Sequence, residues 1–159
     1  MGKTATGAEQ QPRSKPGDLI RAAEAGDVDR IRHCLQHGSS PNEKDIFENT
    51  ALSYAVRYDK VNAIRTLIKL GASVNEKNNR GETALFYAVR YGNVNAIRTL
   101  IKLGASANEK NNRGETALFY AVRDDNVNAI RILIELGASV NEKDYAWETA
   151  LSYAVRYDK

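Results

Sequence analysis

The sequence predicts an all-α protein built as a solenoid of stacked helix-turn-helix units. Two sets of residues recur at intervals of 33 positions. The first set is the threonine of a "TAL" triplet, at Thr50, Thr83, Thr116 and Thr149. The second set is the glycine after a leucine or histidine, at Gly38, Gly71, Gly104 and Gly137. A period near 33 residues is typical of an array in which one supersecondary unit is stacked repeatedly.

Each unit contains two short predicted helices and a turn. The stretch "TALFYAVRYG" begins with Thr83 as a candidate N-cap and ends at Gly92. The stretch "NVNAIRTLIKLG" places apolar residues on one helix face and ends at Gly104. These apolar residues are Val94, Ile97, Leu100 and Ile101. Helices this short are marginal alone, so we expect stacking to stabilise them.

The N-terminal segment differs from the rest of the chain. Residues 1–16 contain glycines, prolines and cations with hardly an apolar side chain, so we expect a flexible tail. Gly2 and Thr6 fit the loose pattern for N-myristoylation, although the bulky Lys3 disfavours it. We expect regular structure to begin near Asp18, as the N-cap of the first helix.

The first and last units also differ from the middle ones. The first unit lacks the threonine motif and presents charged residues typical of a polar cap, namely Arg21, Glu24, Asp27, Asp29, Arg30 and Arg32. The last unit has one helix, so we expect Leu151, Ala154 and Val155 to lack cover from a second helix of their own.

The sequence is similar to the ankyrin repeats. The match is "G-x-T-A-L-x-x-A-V-x-x-G" followed by "V-x-A-I-x-x-L-I-x-x-G-A-S-V-N", and it extends from Asp18 to Lys159. The resemblance implies a repeat domain over residues 17–159, in which β-hairpin-like fingers join the helix pairs. Its units are 17–44, 45–77, 78–110, 111–143 and the partial unit 144–159.

Two positions depart from the family pattern in every complete motif. The family's proline is replaced by Ala51, Ala84, Ala117 and Ala150. The family's histidine is replaced by Ser53, Phe86, Phe119 and Ser152. The proline pre-sets a helix start and the histidine links units by hydrogen bonds, so their loss predicts looser repeats than in a consensus array.

Composition indicates the cellular setting. The chain has 159 residues, of which 42% are hydrophobic and 27% charged, with a net charge of +3, as is typical of a soluble folded protein. A single cysteine, Cys34, excludes an internal disulfide and agrees with a reducing compartment. We therefore expect an intracellular, cytoplasmic protein, with delivery into a host cell if the source is a pathogen.

The titratable residues do not form a pattern typical of an enzyme. His33, Cys34 and His37 are spaced so that a helix would present them to a metal ion, but Cys34 is aligned with core leucines of the later units. Glutamates recur in the predicted turns, at Glu43, Glu76, Glu109, Glu142, Glu82, Glu115 and Glu148. We interpret them as solvated surface, and expect no enzymatic activity, no metal site and no cofactor.

The family resemblance implies a concave groove lined by the first helix of each pair. It places one arginine of each unit in this groove, namely Arg57, Arg90, Arg123 and Arg156. Tyrosines flank these arginines at Tyr54, Tyr58, Tyr87, Tyr91, Tyr120, Tyr153 and Tyr157, with Asp124 in one place. Arg and Tyr are common at interface hot spots. The structural alternative is that the tyrosines pack between helices while the arginines pair with Asp59, Asp124 or Asp125.

The predicted finger tips differ between units. The middle fingers carry Arg80 and Arg113, whereas the outer fingers carry Ile46, Phe47, Tyr145 and Trp147. Apolar tips without a helix period are candidate contacts for a partner. For Trp147, contact with a neighbouring finger or repeat is the alternative.

We predict a monomeric, non-catalytic protein-interaction module that binds a protein, such as an extended acidic segment, through the groove and finger tips. The rival prediction is an anion or nucleic-acid binder in which the arginines contact phosphates and the tyrosines stack on bases. We favour a protein partner, and expect no membrane association. A purely architectural or engineered array is the third alternative, because the units 78–110 and 111–143 are nearly identical.

Overall fold

The computed structural model describes residues 14–157 of the chain. The myristoylation pattern at Gly2 and Thr6, and the predicted tail up to residue 13, lie outside the described residues. At the start of the described part, Ser14 Oγ accepts a 2.9 Å hydrogen bond from Ser39 Oγ of the first unit.

Nine α-helices lie within residues 14–157 and confirm the all-α prediction. In chain order they are α1 Asp18–Ala25, α2 Val28–Gln36, α3 Ala51–Arg57, α4 Val61–Lys69, α5 Ala84–Arg90, α6 Val94–Lys102, α7 Ala117–Arg123, α8 Val127–Glu135 and α9 Ala150–Tyr157. Each odd-numbered helix contacts the next odd-numbered helix, and each even-numbered helix contacts the next even-numbered one. The helices therefore form two layers of a repeat solenoid.

The core lies between these layers. Ile97 and Leu100 of α6 are fully buried, whereas Val94 and Ile101 at the margins of the same face are partly exposed. Burial of such a side chain stabilises the fold by about 1.5 to 3 kcal/mol. Cys34 is 2% exposed and belongs to this core, as its alignment with the core leucines predicts.

The predicted N-cap residue is correct for α5 and wrong for α1. Thr83 is the N-cap of α5, as predicted, although its side chain makes no capping hydrogen bond. Asp18 is not the N-cap of α1, because it is the first helical residue and Gly17 occupies the cap with φ 80°. The Asp18 carboxylate still stabilises this end of the helix by accepting 2.9 Å and 2.6 Å bonds from Lys15 N and Arg21 Nη2.

Aromatic packing occupies the position of the missing histidine in the middle units. Phe86 is 1% exposed, and its ring meets the Tyr120 ring of the next unit edge to face at 5.1 Å. Such a pair contributes about 0.5 to 1.5 kcal/mol beyond the buried area. Apolar contact therefore links these two units where the family pattern would use a hydrogen bond.

Polar side chains in the turns join each unit to the next. Lys77 Nζ donates to Lys110 O at 3.0 Å and lies 2.9 Å from Glu109 Oε2. Asn75 Oδ1 accepts a 2.9 Å bond from Ser106 N. Equivalent lysine contacts start from Lys44 and Lys110, and equivalent asparagine contacts from Asn42 and Asn108. These contacts fix the stacking distance between the turns.

The last helix leaves apolar side chains exposed, as predicted. Leu151 is 70% and Val155 is 77% exposed, while Ala154 is partly buried. None of the helices in the described part of the chain combines the length and the apolar character needed to cross a bilayer.

Candidate functional site

A groove of about 460 Å³ lies between the repeat that contains α3 and the repeat that contains α5. Helices α3 and α5 form its floor, and the two fingers before them form its side. Its lining includes Phe47, Tyr54, Arg57, Arg80, Tyr87, Arg90 and Tyr91. The structure thus brings together seven of the residues that the sequence assigns to partner binding.

Tyr54 is held in place by a hydrogen bond within its own unit. Its hydroxyl donates to Asp45 Oδ2 at 2.7 Å, and the residue is half-buried. This hydrogen bond, followed by partial burial, raises the pKa of Tyr54 to about 12. The phenol therefore remains a proton donor at neutral pH, and its ring forms part of the groove floor.

Tyr87 and Tyr120 are buried and join neighbouring units, although Tyr87 also contributes to the groove lining. They are 7% and 5% exposed, so the expectation that their rings face a partner is corrected to a small exposed edge for these two. Tyr87 donates to Asn49 Oδ1 at 2.7 Å, and Tyr120 donates to Glu82 Oε1 at 2.6 Å. In both cases the acceptor belongs to the preceding unit, so the tyrosines join units as the structural alternative proposed.

Glu82 is buried, which corrects the interpretation of the turn glutamates as solvated surface. It is 2% exposed. Its Oε1 accepts from Arg90 Nη2 at 2.8 Å, and its Oε2 lies 2.9 Å from Arg80 Nη2. Burial opposes the negative charge, but the Tyr120 hydrogen bond and the Arg90 and Arg80 charges outweigh it and hold the pKa of Glu82 below its ordinary value.

Three of the four arginines that the sequence analysis assigned to the groove pair with the glutamate eight positions earlier, a pairing that the sequence analysis missed. Besides the Arg90–Glu82 pair, the ion pairs are Arg123–Glu115, at 3.8 Å, and Arg156–Glu148. Of the expected ion pairs between these arginines and aspartates, the described residues show the pair Arg123–Asp124, at 3.7 Å. The constant interval of eight residues between each glutamate and its arginine is the sequence pattern from which these ion pairs could have been predicted.

Arg57 differs from the other three arginines. Among residues 14–157, no acidic side chain lies within 4 Å of its guanidinium group. Its guanidinium carbon instead lies 5.5 Å from the Tyr58 ring centroid and 5.2 Å from the Tyr91 ring centroid. Both tyrosines are more than 40% exposed, so this cluster of an arginine and two rings faces solvent.

The finger tips present the remaining predicted site residues. Ile46 is 88%, Phe47 57%, Tyr145 71% and Trp147 79% exposed. The side chains of Arg80 and Arg113 are also exposed at the middle tips. Phe47 and Arg80 line the groove, whereas Arg113, Arg123, Tyr145 and Trp147 are absent from its lining.

Comparison with protein families identifies the repeat. A family model described as ankyrin repeats, in three copies, matches residues 19–111 and 103–159. No curated protein matches the chain.

Proposed function

The chain belongs to the ankyrin repeat family, whose members generally act in protein interactions and not as enzymes, and from this premise we propose a non-catalytic module that binds a protein partner in the groove. The observation that carries the proposal is the groove itself, where exposed aromatic and arginine side chains meet in one concavity. Tyr and Arg are over-represented at interface hot spots, because they combine large contact areas with directional hydrogen bonds.

The charge of the groove supports an acidic partner segment. Arg57, Arg80 and Arg90 line the groove, and Glu82 is the carboxylate that pairs with two of them. A second carboxylate, Asp45, accepts from Tyr54 at the groove floor, so three guanidinium groups against two carboxylates leave a net charge of +1 at this place. A positive concavity attracts acidic segments and disfavours basic ones.

The exposed finger tips extend the proposed contact surface beyond the groove. Ile46, Phe47, Tyr145 and Trp147 are large apolar side chains with more than half of their surface in solvent. Burial of such side chains against a partner would stabilise a complex. We propose that the protein binds as a monomer inside the cell, which agrees with its lone, buried thiol at Cys34.

The test is affinity capture from a nuclease-treated cell lysate with two matched double variants. Phe47→Ser with Arg57→Glu alters the groove without breaking an ion pair of the described structure. Ile134→Ser with Arg65→Glu makes the same kinds of change on the exposed parts of α8 and α4. Arg90 is left unchanged, because a glutamate there would face the buried Glu82 carboxylate.

We expect the parent and the control variant to capture the same discrete protein, and the groove variant to lose it. Equal capture by both variants would contradict a groove site. Capture of nucleic acid alone from an untreated lysate, reversed by moderate salt, would favour phosphate binding instead.

A further inference from the structure

The groove contains one arginine that lacks the intramolecular partner found in the other units. The positions eight residues before the groove arginines are Asn49, Glu82, Glu115 and Glu148. Where this residue is glutamate, it forms an ion pair with the arginine of the same unit. Asn49 is neutral, so the charge of Arg57 is not neutralised in this way.

Asn49 otherwise keeps the role of Glu82 as the acceptor that joins two units. Its Oδ1 accepts 2.7 Å and 3.2 Å bonds from Tyr87 Oη and Asn78 Nδ2. Glu82 accepts the equivalent phenol bond from Tyr120 Oη of the next unit, and it accepts a further bond from Asn78 Nδ2 of its own unit. The amide thus preserves the link between units but supplies no carboxylate to the arginine.

The surroundings of Arg57 leave its donors available to a ligand. Tyr58 and Tyr91 contact the guanidinium group through their rings, at 5.5 Å and 5.2 Å. Stacking on aromatic rings engages the flat face of a guanidinium and leaves its in-plane N–H groups free. These groups match the two oxygens of a carboxylate in a bidentate pair.

We propose that Arg57 forms a carboxylate-binding subsite of the groove, and that an aspartate or glutamate of the partner occupies the place that Glu82, Glu115 and Glu148 take in the other units. The inference rests on the proposed function and refines it. The acidic segment is anchored at one arginine rather than along a uniform ladder. Arg90, Arg123 and Arg156 already have carboxylate partners, so they contribute less to ligand affinity.

The sequence itself supplies a substitution that should fill the subsite from within. Asn49→Glu recreates the pairing of the later units, and the introduced carboxylate retains the acceptor that Tyr87 and Asn78 need. Asn49→Gln is the matched neutral control, since it adds the same methylene group without the charge. Arg57→Gln removes the proposed cation, and Arg123→Gln removes an arginine that the structure pairs with Glu115.

The experiment measures the binding of a fluorescent octaglutamate peptide by anisotropy at low salt, with octaserine as the uncharged reference. Circular dichroism verifies the helix content of each variant. We expect Arg57→Gln and Asn49→Glu to weaken octaglutamate binding by about tenfold or more. We expect Asn49→Gln and Arg123→Gln to change it by less than about threefold.

Three results would overturn the subsite. They are no octaglutamate binding by the parent, equal losses for Arg57→Gln and Arg123→Gln, and equal binding by Asn49→Glu and Asn49→Gln. Displacement of octaglutamate by inorganic phosphate but not by acetate at equal ionic strength would replace the carboxylate assignment with a phosphate one. If Asn49→Glu does not fold, the Nε–H resonance of Arg57 decides, because it must shift when octaglutamate is added to the parent.

These outcomes are separate from those of the lysate capture. A groove that captures its protein partner but shows no preference for Arg57 over Arg123 would retain the proposed function and lose the subsite. Loss of both results would overturn the groove itself.

Discussion

The phenol of Tyr120 donates a 2.6 Å hydrogen bond to Oε1 of Glu82, which lies 38 positions earlier in the preceding unit. Both residues are buried. Arg90 from the helix between them binds the same carboxylate oxygen at 2.8 Å. A charge inside the repeat stack is thus satisfied by groups from two units, and the link depends on their correct stacking.

Removing this phenol should destabilise the array. We expect Tyr120→Phe to lower the free energy of unfolding by about 1.5 to 3 kcal/mol, because the buried Glu82 carboxylate loses a donor. Urea denaturation followed by circular dichroism measures this change. Tyr153→Phe is the control, since the partly exposed Tyr153 ring packs on Tyr157 at 4.5 Å. A loss for Tyr153→Phe as large as that for Tyr120→Phe would contradict a special role of the buried bond.

The ionised Glu82 should make stability depend on pH. Its pKa is lowered in the folded state, so its contribution is fully present above the pKa of an unfolded glutamate, about 4.3, and is lost as the pH falls toward the folded value. We expect Glu82→Gln to be roughly 3 kcal/mol less stable at pH 7 and to lose less stability than the parent between pH 5 and pH 3. Urea titrations at several pH values test both parts. Parallel pH profiles would show that other carboxylates cause the acid sensitivity.

Glycine should be favoured at the equivalent positions 48 and 81 of two finger turns, so its removal at one and its introduction at the other should change stability in opposite directions. Gly81 has φ 74°, and a Cβ there would crowd Asn112 Oδ1 and lie 2.8 Å from Asn112 N. Gly81→Ala should therefore cost roughly 2 kcal/mol of stability. The equivalent Glu48 has φ 61° despite its side chain, so Glu48→Gly should stabilise the protein by roughly 0.5 kcal/mol.

The spacing of the fingers agrees with this expectation. Asn79 N lies 3.4 Å from Phe47 O beside Glu48, whereas Asn112 N lies 3.0 Å from Arg80 O beside Gly81. Thermal denaturation of the two variants measures the signs. A stability loss in both would indicate that Glu48 makes a compensating contact.

Trp147 reports on the exposed end of the array. It is the one tryptophan of the chain, is 79% exposed, and has Lys143 Nζ 5.5 Å from its ring. Its emission should be typical of a solvated indole and should be quenched readily by acrylamide. Trp147→Ala should change the free energy of unfolding by less than about 0.5 kcal/mol. Strong protection from acrylamide in the isolated protein would contradict this exposure, whereas protection only after partner binding would support a contact role for the finger.

The repeat architecture could be predicted from sequence because its signals are local. The threonine before each first helix and the apolar face of α6 appear within one unit, and the period of 33 residues appears when successive units are compared along the sequence. Thr83 and Cys34 occupy the expected places. The predicted N-cap of α1, Asp18, lies one residue after the observed N-cap, Gly17. The prediction did not consider that Gly17 could take the positive φ of the cap position.

The candidate site was predicted less well, because its chemistry depends on contacts between units. Tyr54, Tyr87 and Tyr120 occupy equivalent sequence positions, but Tyr54 is half-buried while Tyr87 and Tyr120 are buried. Their exposure depends on whether a neighbouring helix and an acceptor in the preceding unit enclose the ring. A repeated residue therefore need not repeat its environment.

By itself, the sequence determined that the chain repeats a helix pair and which face of each helix is apolar, because periodicity and turn residues act over a few positions. Only the tertiary structure decided that Glu82 is a buried ion while Arg57 has no carboxylate partner among the described residues. The physical reason is that the energy of a charge depends on the dielectric around it and on donors brought together across 38 residues, which no local pattern specifies.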